Sequence, residues 1–208
     1  MEWIEAAAAA QNLTSAQLVE YTAAVLGLIN VTLVVRRSLW NYPFALAMVT
    51  LYLFVFWEAR LYSDALLQIF FFVLNLYGIL NWMRSRREAG EVMVTVLGNR
   101  ARLVWLVVTL AASLAWGYGM MRFTDAAAPI WDALIAGMSV SAQLLLARRK
   151  IENFVIWIAV DAIAVPVYWS RGLAPTAFLY LLFLGLAIAG LVTWWRAYKR
   201  QAAVPAAA

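Results

Sequence analysis

The chain has 208 residues, 66% of them hydrophobic and 13% charged, with a mean hydropathy of +0.80. Soluble globular proteins average about 45–50% apolar and about 25% charged residues, so this composition belongs in a membrane. There is no cysteine and no histidine, which excludes a disulfide framework and a thiolate metal site and removes the commonest metal ligand and general base. The net charge of +5 comes from Lys and Arg in short loops between oily runs, a pattern of membrane topology and not of nucleic-acid binding.

In chain order, "MEWIEAAAAAQ" lacks a basic n-region and carries Glu2 and Glu5, so residues 1–17 are expected to form a short surface segment and not a cleavable signal. A membrane-crossing helix needs about 20 mainly apolar residues. Seven stretches qualify, roughly 18–35, 42–58, 62–83, 103–121, 129–147, 153–170 and 173–195. The longer connection at 84–102 is expected to lie on the membrane surface as a turn or hairpin. Residues 196–208 form a tail ending in the low-complexity "QAAVPAAA".

Counting basic residues by side fixes an expected orientation. The side reached after the first, third, fifth and seventh spans holds Arg36, Arg37, Arg84, Arg86, Arg87, Arg100, Arg102, Arg148, Arg149, Lys150, Arg196, Lys199 and Arg200; the other holds Arg60, Arg122 and Arg171. The positive-inside rule then puts the C-terminus in the cytoplasm and the N-terminus outside. The acids Glu2, Glu5, Glu20, Glu58, Asp64, Asp125 and Asp132 lean outward.

The chain matches itself at an offset of 112 residues without a gap. "RRSLWN" at 36–41 falls on "RRKIEN" at 148–153, and "GILNWMR" at 78–84 on "GLVTWWR" at 190–196. Asn41/Asn153, Trp57/Trp169, Phe71/Phe183, Gly78/Gly190, Trp82/Trp194 and Arg84/Arg196 are identical pairs. Biased composition does not readily produce matched Asn, Gly and Arg at one offset. The expected domains are therefore a first three-helix repeat (18–83), a surface segment and linker helix (84–121) and a second three-helix repeat (129–195). A single linker span restores the orientation of an odd-numbered repeat, so the two repeats run parallel. The 3+1+3 all-α integral membrane fold is a transporter pattern, with substrate expected near the midplane between the halves.

The third span, "YSDALLQIFFFVLNLYGILNW", carries Asp64, Gln68 and Asn75 within an oily run. With Asp64 at zero and about 100° per residue, Gln68 falls at about +40°, Asn75 at about +20°, Gly78 at about −40° and Trp82 at about 0°. They share one stripe, and Leu66, Ile69, Phe70, Phe72, Val73 and Leu76 lie outside it. In span 6, Asn153, Trp157, Asp161 and Tyr168 share a face in the same way. A carboxylate near midspan costs roughly 2.5–3.5 kcal/mol on insertion scales, so Asp161 should face protein or water. Such polar residues serve either as helix–helix glue or as a permeation site; two stripes in a duplicated bundle favour the site. Trp157 and Tyr180, and more weakly Tyr52, are candidates to stack a planar ring. Asn41 joins the set as the repeat partner of Asn153. Trp82, Trp194, Trp195 and Tyr198 lie at the cytoplasmic ends and are expected to form an interfacial belt. Pro166 is a candidate hinge in span 6. Gln68 maps onto Tyr180, Asn75 onto Ala187 and Asp161 onto Val49, so a symmetric scaffold carries an asymmetric site.

"LWNYP" at 39–43, "EARLYSDALLQIFFFVLNLYG" at 58–78 and "RRKIENFVIWIAVDAIAVPVYWSRGL" at 148–173 resemble the bacterial nicotinamide riboside transporters, the PnuC family, over about residues 20–196. The resemblance implies a seven-span fold related to the SWEET sugar transporters, uptake of nicotinamide riboside by facilitated diffusion with trapping by a cytoplasmic kinase, and a homo-oligomer in the bacterial inner membrane. Its motifs carry over Gln68, Asn75, Asn153, Trp157 and Asp161. The family's Trp-x-x-Trp pair is incomplete here, because its first position is Phe154. No cofactor, metal or nucleic acid is expected. Retinal attachment is excluded, since Lys150 and Lys199 sit at span ends. A membrane enzyme would need a nucleophile, base or metal cluster, for which a chain without His and Cys and with one midspan acid is poorly equipped. The rival reading is another nucleoside, vitamin or sugar on the same scaffold.

Overall fold

The computed structural model describes residues 15–58, 62–123 and 129–203. The predicted surface segment before residue 15 and the tail beyond 203 lie outside the described residues. Seven helices follow one another: α1 (Ser15–Val35), α2 (Asn41–Glu58), α3 (Tyr62–Ala89), α4 (Asn99–Phe123), α5 (Pro129–Ala147), α6 (Glu152–Ser170) and α7 (Ala174–Ala203). Each corresponds to one predicted span. Among the described residues, α3 to α7 are long and apolar enough to cross a membrane, and α1 contains the shorter apolar helix Tyr21–Val35. Leu66, Phe70, Leu103, Val107 and Phe178 are exposed. Apolar surface this continuous is compatible with hydrocarbon and not with water. The chain is an all-α integral membrane protein.

Between residues 84 and 102 the structure differs from the expected turn or hairpin. Helix α3 continues through Arg84–Ala89, a run with good helix formers, and stops where Gly90 takes φ 74°. Residues 91–98 then form an extended strap across the basic end of the bundle. Thr95 pairs with the turn before α6: its N–H donates to Arg149 O at 3.0 Å and its carbonyl accepts from Ile151 N at 3.0 Å. Arg37 binds Glu91 Oε2 at 2.9 Å and Val92 O at 3.0 Å. Gln201 of α7 accepts from Val94 N and donates to Glu91 Oε1. Glu152 accepts from Leu97 N at 3.0 Å and pairs with Arg102 at 2.9 Å. The strap thus ties α1, α6 and α7 together at one end.

The turns after α1 and α5 are built alike. Arg37 and Arg149 both take left-handed backbone, φ 55° and 60°. Arg37 N donates to Val34 O at 2.9 Å and Ser38 N to Leu33 O at 3.0 Å; Arg149 N donates to Leu146 O at 2.8 Å and Lys150 N to Leu145 O at 2.9 Å. These two bonds define a Schellman C-cap, with arginine where glycine is usual. In both turns the following Asn closes back: Asn41 Nδ2 to Ser38 O and Asn153 Nδ2 to Lys150 O, each at 2.6 Å.

The halves are joined by a crossed pair of bonds. Trp82 Nε1 on α3 donates to Leu146 O on α5 at 3.1 Å, and Trp194 Nε1 on α7 donates to Val34 O on α1 at 3.1 Å. Both rings have no exposed surface and lie 5.6 Å apart. Trp82 meets Tyr42 edge-on at 5.5 Å, as Trp194 meets Phe154 at 5.0 Å. Tyr42 packs on Gly78 and Phe154 on Gly190, at positions where a Cβ would strike the ring. This corrects the expected interfacial belt. Trp82 and Trp194 are core residues whose indole N–H groups reach carbonyls at the end of the opposite half, while Trp195 is half-exposed, as a belt residue is. Phe154 likewise belongs to this core, and its ring faces Gly190 and Trp194.

Candidate functional site

The predicted stripe on α3 faces inward. Gln68 and Asn75 are 8% and 3% exposed, while Leu66, Phe70 and Val73 on the other faces are more than half exposed. A polar side chain on an apolar helix is retained inside only where it finds partners. Asn75 finds two: its Nδ2 donates to Phe71 O at 2.9 Å, one turn back, and its Oδ1 accepts from Gln143 Nε2 on α5 at 3.1 Å. This bond spans the halves at the seam held farther down by Trp82 and by Asn81, whose Nδ2 donates to Ala147 O at 2.8 Å. The side chain of Asp64 lies outside the described residues.

Three further candidates converge from different helices. Tyr180 of α7 hydrogen-bonds Tyr168 of α6 and lies in electrostatic range of Asp161 on α6 and Tyr52 on α2. The rings of Tyr168 and Tyr180 stack at 5.2 Å and 22°, and Phe183 meets Tyr180 edge-on at 6.2 Å. Tyr52 stacks on Phe56 at 5.6 Å. Asp161 is buried at 2% exposure. Trp157, one turn before Asp161 on α6, packs against the buried cluster of Ile135, Val160 and Ala164, as Tyr168 and Tyr180 also do, and against the core around Trp194. Asp161 thus lies buried within electrostatic range of Tyr180, and the Asn75–Gln143 pair lies on the seam between α3 and α5. Pro166 lies within an uninterrupted α6.

Asn41 and Asn153 are placed differently from the rest. Both sit at turns on the basic end, with their amide N–H groups engaged by turn carbonyls. Asn153 Oδ1 is buried without a hydrogen-bond partner, so its acceptor remains free. Sequence reasoning missed Gln143. Its repeat partner is Val31, so the self-match gave no signal, although an amide inside a membrane span was the signal used for Gln68 and Asn75.

A crevice of about 380 Å³ opens elsewhere, between α4, α6 and α7, lined by Trp105, Leu106, Val155, Ile156, Leu191 and Trp195 among others. None of the candidate residues lines it. Its walls are apolar and part-exposed, as befits a groove facing lipid. Among the described residues no group of three or more acidic side chains could hold a metal ion.

Comparison with known proteins adds an independent line. The family model described as nicotinamide mononucleotide transporter matches residues 17–196. The nicotinamide riboside transporter PnuC of Escherichia coli is 27% identical over 202 residues, covering 85% of this chain and 84% of its own length. The riboflavin/roseoflavin transporter RibM of Streptomyces davaonensis is 28% identical over 180 residues, covering 85% and 84%. A crystal structure of the vitamin B3 transporter PnuC superposes with a TM-score of 0.74 at 23% identity, over 95% of this chain and 88% of that one. That likeness supports the seven-helix fold. The relatives are transporters by name, not enzymes, and they differ in what they carry. The chain belongs to the nicotinamide mononucleotide transporter family of multi-pass membrane proteins.

Proposed function

We propose that the protein carries nicotinamide riboside across a bacterial inner membrane by facilitated diffusion, with alternating access between two three-helix repeats (18–83 and 129–195) around the linker helix. The observation that carries this reading is the buried Asp161 within electrostatic range of Tyr180, whose ring stacks on Tyr168. Nicotinamide riboside is a flat pyridinium cation joined to a ribose. A carboxylate in an aromatic pocket suits the charged ring, and amides suit the carboxamide and hydroxyls. In this assignment Trp157, Tyr180 and Tyr52 contact the ring and Asp161 balances its charge or accepts from a ribose hydroxyl. Gln68, Asn75 and Asn153 bind polar groups, and Asn41 supports the equivalent turn in the first repeat.

The distribution of basic residues favours the riboside over the mononucleotide. All sixteen Lys and Arg lie in loops or at span ends, so no cation stands at mid-membrane to pair with a phosphate dianion. A carrier without a mid-membrane cation fits the release of free riboside, to be trapped by a cytoplasmic kinase. The basic asymmetry of the loops supports an outside N-terminus and a cytoplasmic C-terminus. The family resemblance supports a homo-oligomer. The likeness to RibM supports a second reading, riboflavin, whose flat neutral ring would also stack on the tyrosines.

Calorimetric titration of the purified protein separates these readings. Saturable binding of nicotinamide riboside, with none of riboflavin, thiamin, other nucleosides or sugars, is the expected result. Binding of riboflavin alone refutes it. Proteoliposome flux that equilibrates without any ion gradient is expected of a uniporter; a requirement for a gradient refutes that part.

A further inference from the structure

We infer that Gln143 is a positioning residue for the substrate site: it fixes the amide of Asn75 from across the seam between the halves. The inference rests on the substrate site proposed above and adds to it a residue on the opposite repeat.

The hydrogen-bond chemistry leaves a single arrangement. Phe71 O is a backbone carbonyl and only accepts, so the Asn75 group 2.9 Å from it is the Nδ2 donor. That places Asn75 Oδ1 toward α5. An amide oxygen also only accepts, so Gln143 presents Nε2 to it, at 3.1 Å. A main-chain carbonyl thus sets the orientation of both amides. Without Gln143, the Asn75 side chain keeps one anchor and can swing its oxygen away. With it, Asn75 is held at both ends, leaving a second N–H and a second lone pair to offer a ligand in a set direction. Gln143 itself keeps its Oε1 acceptor.

The mirrored seam shows that this tie is not required by the scaffold. At the equivalent positions the other α1–α7 contact carries Val31 for Gln143 and Ala187 for Asn75. Ala187 is buried, and nearby Gly27 lies against Phe183, where an added Cβ would come within 3.3 Å of the ring. At this level that seam has no side-chain hydrogen bond to match, since neither Val31 nor Ala187 carries a polar side-chain atom. Both seams keep the tryptophan bond lower down. Packing of the halves therefore needs neither amide, and the Asn75–Gln143 pair is an addition to one seam only.

The test begins with the wild-type protein in detergent, titrated with nicotinamide riboside. If it binds riboflavin instead, the substrate reading fails and the variants are titrated with riboflavin; binding of neither overturns both. Gln143→Met keeps length and apolar contact but has no donor, and should raise Kd about fivefold to tenfold. Gln143→Leu is the second variant and should do the same. Asn75→Ala should raise Kd about tenfold or more, and Asn75→Ala/Gln143→Met no further, because both act through one amide. In proteoliposomes KM should rise with Vmax within about twofold, a split that a general packing defect would not give. A wild-type Kd in Gln143→Met, additive losses in the double variant, or a fall in Vmax at unchanged KM overturns the positioning role.

Discussion

Trp194→Phe tests the crossed bonds that join the halves. The substitution keeps an aromatic ring against Phe154 and Trp82 but removes the indole N–H that reaches Val34 O at 3.1 Å. Val34 O still accepts from Arg37 N at 2.9 Å, so no carbonyl is orphaned, and the loss is that of one ordinary hydrogen bond, about 1 kcal/mol. The smaller ring leaves a methyl-sized gap where Trp194 has no exposed surface, at about 1 kcal/mol more. For a chain of this length, a total of about 2 kcal/mol lowers Tm by about 4–8 °C. The assay is intrinsic-fluorescence melting in detergent at one fixed scan rate, since membrane proteins often unfold irreversibly. Trp82→Phe should cost the same, because its bond to Leu146 O has the same length. Trp195→Phe, at a half-exposed ring tilted against Tyr198 at 5.9 Å, is the control and should shift Tm by less than about 2 °C. Equal small shifts for all three variants would refute the clasp.

Four further outcomes follow from the geometry. Trp157→Ala should weaken riboside binding at least about tenfold, given about 1–3 kcal/mol per lost stacking partner; unchanged calorimetric affinity in a folded variant removes Trp157 from the site. Asp161→Asn should weaken the pyridinium riboside by at least about tenfold while sparing its neutral reduced form, since only the cation gains from the carboxylate; equal losses for both would show that Asp161 does not balance charge. Gly190→Ala pushes a methyl into the Phe154 ring and should cost about 1–3 kcal/mol, with partial recovery of Tm in Gly190→Ala/Phe154→Leu. Glu91 is held below the usual carboxylate value of 4.5 first by the Gln201 hydrogen bond and then by Arg37. A depressed folded-state value means that its contribution is present above about pH 4.5 and lost as pH falls below it. Because Glu91 is largely exposed, that contribution is under about 1 kcal/mol after solvent screening. Melting of the wild type should therefore lose its small margin over Glu91→Gln as pH drops from 6 toward about 3.5.

Hydrophobic runs of bilayer length gave the seven helices, because span length is set by the membrane and not by tertiary contacts. The inward face of α3 was equally legible: Gln68 and Asn75 cannot face lipid, and the helical period places them together. The end of α3 was not, since Arg84–Ala89 extends the helix beyond hydrocarbon, where hydropathy carries no information. Trp82 and Trp194 were misplaced because an indole near a span end reads the same whether it faces headgroups or a neighbouring carbonyl. Gln143 has no echo at Val31, the position 112 residues earlier, so the self-match carries no sign of it. The convergence of Tyr52, Asp161 and Tyr180 from three helices is a tertiary fact that no local pattern contains.

The crossing of the tryptophan bonds bears on how such a chain came to exist. Each bond runs from the third helix of one half to the first helix of the other, so neither half can make its own bond. Two separate three-helix chains related by a twofold axis would make both bonds at once, as reciprocal contacts of a symmetric dimer. Joining two such chains through one extra membrane-crossing helix would keep that dimer parallel and turn its two equivalent contacts into internal ones. In a single chain, Asn75 and Gln143 can stand on one seam while Ala187 and Val31 stand on the other. A chain cut within α4 should accordingly still assemble when both pieces are made together, and neither piece should be stable when made alone.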